Sequence, residues 1–345
     1  MPITDQPVRR LGQPIGGDAA RVLALALPAV GEQLLNMTVG LVDTFMVGHL
    51  GAAAVAAVGL SNQAVMFVTM FFAAVATGVT ALVARHTGAG EPDGANRILH
   101  QGYLIGAAIG VLMTLLSVAL APGILHVLRA PADVVAPGTI YLRVAAAGFI
   151  LASWLFIGNA ALRGSGDTRS PMLVMAVVNV VNIVVAALFI YGPGPFPQLG
   201  VTGSALGAAV GRGAGGLMVT ALLLRGRGNL KLRWPQLRPN LVQMKRIANI
   251  GLPAGAEQML MRIGMMTYVT TVASLGTQAY AAHQLALQAE SLAYMPGFGF
   301  AIAATTLVGQ GLGAGDPERS RRDAFLSQRL AILLMALMGV MFFVF

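Results

Sequence analysis

The sequence predicts an all-α polytopic membrane protein built as two parallel-repeat six-helix bundles, the second truncated, so that nine transmembrane helices are present. Three observations predict it. The 345 residues are 56% hydrophobic and only 10% charged, with a mean hydropathy of +0.75, whereas soluble domains carry about a quarter charged residues. Nine apolar runs are each long enough to cross a ~30 Å hydrocarbon core, which takes about 20 helical residues. The early part of the chain also recurs in its last third at a constant offset.

Residues 1–21 are polar and contain proline and glycine, and the run behind them is too long for a signal-peptide core, so they read as a cytoplasmic N-terminal segment. The runs follow at 22–47, 54–84, 99–121, 138–161, 171–191, 201–224, 248–273, 279–309 and 325–345. Lipid offers backbone groups no partners, so each run must be a helix. The Gly and Ala within them suit close helix packing. Runs one to six form a first lobe, 22–224; a basic cytoplasmic linker occupies 225–246; runs seven to nine form a partial second lobe, 247–345. Counted from a cytoplasmic N-terminus, eighteen of the 22 Lys and Arg residues, Arg85, Arg97 and Arg163 among them, fall on cytoplasmic segments. Only Arg129 and Arg143 are outside, and Arg212 and Arg262 lie within helices. That bias sets the orientation of a multi-pass protein of the inner (plasma) membrane. The net charge of +9 is explained by topology and anionic lipid, with no nucleic-acid partner. Zero cysteines exclude disulfides, thiolate chemistry and Cys-based metal sites.

The repeat is gapless at an offset of 225: LPAVGEQLL at 27–35 returns as LPAGAEQML at 252–260, and RHTGAGEP at 85–92 as QGLGAGDP at 310–317. Over 27–97 there are 25 identities in 71, including Pro28/Pro253, Glu32/Glu257, Gln63/Gln288 and Gly90/Gly315. A repeat of six helices returns the chain to the same side, so the halves are parallel and related by an axis along the membrane normal. Phe345 corresponds to residue 120, inside an apolar helix, and the expectation is a chain truncated by roughly 105 residues relative to two complete lobes.

With these motifs in view, the chain resembles the multidrug and toxic compound extrusion (MATE) transporters, in their bacterial NorM-like branch. The residues that carry the resemblance are VDTFMVGHLG at 42–51, LRGSGDTRSP at 162–171, NVVNIVVAALFIYG at 179–192, YAAHQLALQAESLAYMPGFGFAIAATTLVGQGLGAG at 280–315 and the paired GAGEP and GAGDP turns. The resemblance implies twelve helices in two lobes around a cavity that opens alternately to each side. It implies export of bulky, often cationic organic compounds in exchange for H+ or Na+. The expected form is a monomer without a cofactor.

Four acids lie in the predicted helices, Glu32, Asp43, Glu257 and Glu290, and an ionisable group inside a membrane is a functional candidate by default. Glu32, Asn36, Gly40 and Asp43 follow the i, i+4, i+8, i+11 spacing of one helical face. A polar stripe facing lipid is penalised, so it should face the lobe interior. The resemblance implies the same role for Asp43, fifteen residues after the helix-bending Pro28, with partners on the fifth run. There Asn179 and Asn182 are the polar residues, and Asn159 and Asn36 could complete the site. The family carries a second acid or amide four residues after the equivalent of Asn182, and this chain has Ala186. A desolvated pocket and a hydrated one differ in how firmly they hold a proton on one carboxylate, so alternating access could exchange a proton at Asp43 for a cationic drug.

In the second lobe Glu257 falls near the midplane, where transporters of this kind bind substrate; Glu257 and its repeat partner Glu32 could equally only bridge helices around the proline bends. Glu290 shares a face with His283 at i+7, with Gln288 on the same helix and Arg262 on the preceding one. A buried Glu290–Arg262 pair would be structural or a gate, and Glu257 with Glu290 could instead form a sodium site. Met259, Met261, Met265 and Met266 suit either a pliable cavity or a lipid-facing surface. No GKS or GKT follows the Gly-rich turns, and no metal cluster or nucleophile triad is visible. The reading is therefore an ion-gradient-driven antiporter and not an enzyme, with H+ as the expected coupling ion and Na+ as the alternative, because one titratable carboxylate suffices for a proton. A lipid-linked saccharide flippase is the competing function; it would favour a strongly cationic cavity, and these helices hold more acids than arginines.

Overall fold

Among the described residues the apolar runs are helical, one of them as a broken pair. The computed structural model describes residues 15–233, 237–273 and 276–344. They form α1 (Ile15–Gly48), α2 (Ala52–Gly88), α3 (Pro92–Val127), α4 (Ala132–Ala147), α5 (Phe149–Gly164), α6 (Arg169–Tyr191), α7 (Val201–Arg225), α8 (Leu241–Ala273), α9 (Thr277–Gly313) and α10 (Pro317–Val344). Six of these, α1, α2, α3, α6, α7 and α10, are individually long and apolar enough to cross a membrane. A seventh span arises if α4 and α5 are taken together. Among the described residues the one extended pairing is an isolated bridge between Arg227 and Leu230.

The run at 138–161 departs from expectation, because it is two helices meeting at Gly148 with a bend of 53°. Hydropathy is uniform across the bend and carries no trace of it. Gly148 sits at the bend with its backbone against Ala209 of α7. The connection between α7 and α8 is also shorter than the 225–246 segment read from the sequence, since α8 begins at Leu241. It is tied down rather than loose. The Lys231 N–H donates to Asn96 Oδ1 (2.7 Å), Arg233 N–H to His100 Nε2 (2.9 Å) and Asn240 N–H to Gln101 Oε1 (2.8 Å), all on α3.

Helices α6 and α7 pack along a seam of Gly203, Gly207, Gly211 and Gly215, one every fourth residue on one face of α7. Small residues at that spacing let helix backbones approach closely within a membrane. Gly207 lies on Ala186, and Gly211 on Asn182 and the Val178 carbonyl. This accounts for the departure at Ala186: the side chain is completely buried in the seam, and a longer one would push the helices apart.

Two apolar cores are built mainly on the first seven helices, one of them closed by Leu230, Leu232 and Ile247. One gathers Val79, Ile98, Tyr103, Ile157 and Leu223, and the other Phe72, Leu125, Tyr141, Leu142 and Phe149. Between the first and last parts of the chain, contacts come in reciprocal pairs. Gly299 lies on Val30 and Gly255 on Ala74; Gly88 lies against the Gln310 carbonyl and Gly313 against the Arg85 carbonyl. The members of each pair of contacts are exchanged by the offset of 225. At the end carrying Arg85 and Arg319, where Gly88 and Gly313 meet the opposite backbone, there is no room for a Cβ on either glycine.

Candidate functional site

The stripe on α1 faces inward. Glu32, Asn36, Gly40 and Asp43 line a cavity of about 580 Å³, whose other walls come from α2, α5, α6 and α7 with Ile302 of α9. Asn159, Asn179 and Asn182 reach it from α5 and α6, and the apolar lining includes Val65, Leu155, Phe156 and Val178. A volume of this order suits a drug-sized organic molecule.

At one end lies an ion pair. Arg163 Nη1 donates to Glu32 Oε1 at 2.8 Å, with side chains only 16% and 5% exposed. The sequence counts Arg163 among the basic residues of the cytoplasmic flank, and it lies in the last turn of α5 with its guanidinium lining the cavity. A buried carboxylate left without a counter-charge would cost several kcal/mol, and Arg163 supplies that charge. Thr306 Oγ1 of α9 donates to the Arg163 carbonyl (3.0 Å), so this end also anchors α9 to α5.

About 16 Å further along α1, at 1.5 Å per residue, a polar group surrounds Asp43. Asn182 is within hydrogen-bonding reach of the carboxylate, and Arg212 of α7 is the nearby opposite charge. Tyr141 joins them from α4, donating its hydroxyl to Asn62 Oδ1 on α2 at 3.0 Å. Ser204 of α7 completes the set. Unlike the pair below, Asp43 and Arg212 are not joined by an ion pair. Asp43 Oδ1, Asn182 Oδ1 and Ser204 Oγ are buried with no hydrogen-bond partner, as are Asn159 Oδ1 and Asn179 Oδ1. Asn179 spends its Nδ2 on the Leu35 carbonyl of α1 (2.8 Å).

The candidates on α8 and α9 do not assemble. Glu257 and Glu290 are exposed, and neither lines the cavity. Arg262 does not pair with Glu290; its Nη2 donates to Gln63 Oε1 (3.0 Å) and to Met66 Sδ (2.9 Å) on α2. The packing explains this partner, since α8 lies along α2. His283 stands edge-on to Tyr268 with ring centroids 5.1 Å apart. The Gln288 side chain lies outside the described residues. Among those residues no cluster of three or more His, Asp or Glu could hold a metal ion.

Sequence reasoning did not select Arg212, Tyr141, Asn62 or Ser204. For Arg212 a signal existed, an arginine inside a predicted span, which is a functional candidate by default. For the others there was none, because a Tyr, Asn or Ser in an apolar helix acquires meaning only from its neighbours. With Arg163 and Arg212 included, the cavity holds two carboxylates and two guanidiniums, so the excess of acids read from the helices is not a property of the site.

Comparison with known proteins is consistent along the chain. The MatE family model matches residues 28–188 and 253–345. A probable multidrug resistance protein NorM of Thermotoga maritima is 31% identical over 325 residues, covering 94% of this chain and 70% of the relative. A multidrug resistance protein MdtK of Yersinia pseudotuberculosis is 30% identical over 339 residues, covering 95% and 72%. A crystal structure of MATE in the straight conformation superposes with a TM-score of 0.85 at 25% identity, over 92% of this chain and 70% of that one. A MATE family multidrug resistance transporter of the MOP superfamily, in an outward-facing conformation, gives 0.84 at 24%, over 92% and 70%.

Proposed function

The chain belongs to the MatE family, and from that premise we propose that it is an ion-gradient-driven antiporter that exports bulky, often cationic organic compounds by alternating access. It is a membrane transporter and not an enzyme. The observation that carries the reading is the cavity itself: a drug-sized chamber with a carboxylate, Asp43, unpaired at one end. Ionised, Asp43 attracts a cationic substrate; protonated, it does not. Proton entry from one side therefore displaces the substrate that was loaded from the other. In this scheme Asn182, Asn159 and Asn36 hold the polar side of the cavity, and Glu32 with Arg163 fixes its lower end. Glu257, Glu290, Arg262, His283 and Gln288 are second-lobe candidates outside this cavity.

The topology that goes with this reading has nine spans, α4 and α5 making one, with a cytoplasmic N-terminus and a monomer in the inner membrane. Its lobes are 22–224 and 247–345, related as parallel repeats. The reciprocal contacts of Gly88 with Gln310 and of Gly313 with Arg85 support the repeat relation. The flippase alternative is not favoured, because two carboxylates offset the two guanidiniums.

The test is transport by the protein in liposomes with an imposed pH gradient and no sodium on either side. Proton coupling predicts movement of a cationic dye under these conditions. Movement that begins only when sodium is added would replace the proton by Na+. That second reading has its own support in the unpartnered oxygens of Asp43, Asn159, Asn179, Asn182 and Ser204, since sodium prefers several oxygen ligands. No movement in either gradient would overturn the antiport reading.

A further inference from the structure

The two charge pairs of the cavity are in different states. Glu32 and Arg163 are closed on each other at 2.8 Å and spend their charges there. Asp43 and Arg212 face the same space without an ion pair, and Asp43 Oδ1 and Asn182 Oδ1 are buried and unpartnered beside them. Arg212 reaches this space from α7, whose glycine seam holds it close to α6 and so fixes where the guanidinium sits.

If a purely cationic molecule occupies Asp43, the guanidinium of Arg212 loses the balance of the carboxylate beside it. A half-buried charge at membrane depth is then left without a counter-ion, an unfavourable state. A molecule that carries an anion as well as a cation removes the conflict. Its cation engages Asp43 and the Asn182 carbonyl oxygen, its carboxylate or sulfonate engages Arg212, and its apolar body lies on Val65, Phe156 and Val178. The planar guanidinium suits such an anion, because it offers parallel N–H donors to two oxygens at once.

We infer that Arg212 is a specificity-determining residue and that the cavity prefers drug-sized zwitterionic amphiphiles over cations of the same skeleton. The inference rests on the efflux reading for the identity of the cavity and adds the second charge to its substrate class. It is independent of whether H+ or Na+ drives transport.

Equilibrium binding of a rhodamine free acid, which carries both charges at neutral pH, and of its methyl ester, which carries only the cation, tests this by fluorescence polarisation on the purified chain. The expected result is at least about tenfold tighter binding of the acid, the size of one charge-assisted contact. Arg212→Gln should bring the two dyes within about twofold by weakening the acid alone, and Arg212→Lys should keep part of the preference. Equal binding of both dyes by the unaltered chain, or a preference that survives in Arg212→Gln, overturns the inference and leaves the efflux reading intact. If Arg212→Gln binds neither dye, Arg212→Lys decides: retained preference supports the assignment, and its loss with the ester still bound overturns it. Failure of the unaltered chain to bind either dye overturns both readings.

Discussion

Helices α1 and α8 carry the same opening, LPAVGEQLL and LPAGAEQML, with a proline inside the helix at the equivalent point, yet past it they present different chemistry. The stripe on α1 is Glu32, Asn36, Gly40 and Asp43; at the same four positions α8 has Glu257, Met261, Met265 and Tyr268. Glu32 is buried and bridged to Arg163, whereas Glu257 is exposed and joins no ion pair among the described residues. The repeat has kept the helix-interior proline and the close glycine contacts, while the polar stripe that lines the cavity stands in one copy. The same glutamate in a similar local sequence is a buried bridge in one place and an exposed side chain in the other, and among the described residues only Glu32 meets an arginine from another helix.

The largest effect that could break this comparison is on stability. Arg163→Met leaves Glu32 buried without its counter-charge and should cost about 3–5 kcal/mol, read as loss of folded protein in thermal unfolding in detergent. The double change Glu32→Gln with Arg163→Met should recover most of that loss, and Glu257→Gln should shift unfolding by less than about 0.5 kcal/mol. A Glu257→Gln cost equal to that of Arg163→Met would mean the two glutamates are not different after all.

Next in size is transport. Asp43→Asn should reduce dye export by at least about tenfold while leaving insertion unchanged, and Tyr268→Phe at the repeat-equivalent position should stay within about twofold of the unaltered chain. Comparable losses at both positions would show that α8 contributes to coupling as much as α1.

A smaller effect is expected where the two halves behave alike. A side chain at Gly88 or Gly313 must displace the facing backbone, so Gly88→Val and Gly313→Val should each raise the labelling rate of a cysteine introduced at the buried Leu307 by about threefold. The two factors should agree within about a factor of two, and the natural absence of cysteine gives this measurement no background. Opposite responses would remove the reciprocity of the contacts.

The smallest effect lies at the turn between α5 and α6. Burial raises the proton affinity of Asp167, but hydrogen bonds from Ser170 and Arg227 outweigh it and hold the carboxyl below its usual range. A depressed folded-state pKa contributes stability that is present above the unfolded value and is lost as pH falls through the folded one. Asp167→Asn should therefore flatten the acid limb of a stability–pH profile and leave stability unchanged at the lowest pH. An unchanged acid limb would show that this tie between the α5–α6 turn and Arg227 contributes nothing.

What was legible in the sequence was what hydropathy and helical periodicity encode locally. The runs, the basic end, the offset of 225 and the inward stripe from Glu32 to Asp43 could all be read from residues within a few turns of each other. The bend at Gly148 could not, because uniform hydrophobicity hides where a helix breaks. The site was legible only in half. Asp43, Asn182, Asn159 and Asn36 stood out as polar groups in apolar runs, but the pairing of charges depends on which helices become neighbours. Glu32 finds Arg163 at a separation of 131 residues, and Arg262 turns to Gln63 across 199 residues instead of to Glu290 on the next helix. Helix formation and membrane insertion follow from the chain's own composition, since lipid forces every apolar run to satisfy its backbone internally. Tertiary packing alone decided that one carboxylate of the cavity is closed onto an arginine and the other is left open beside one, because a charge buried in a low-dielectric interior is governed by what stands within a few ångströms of it.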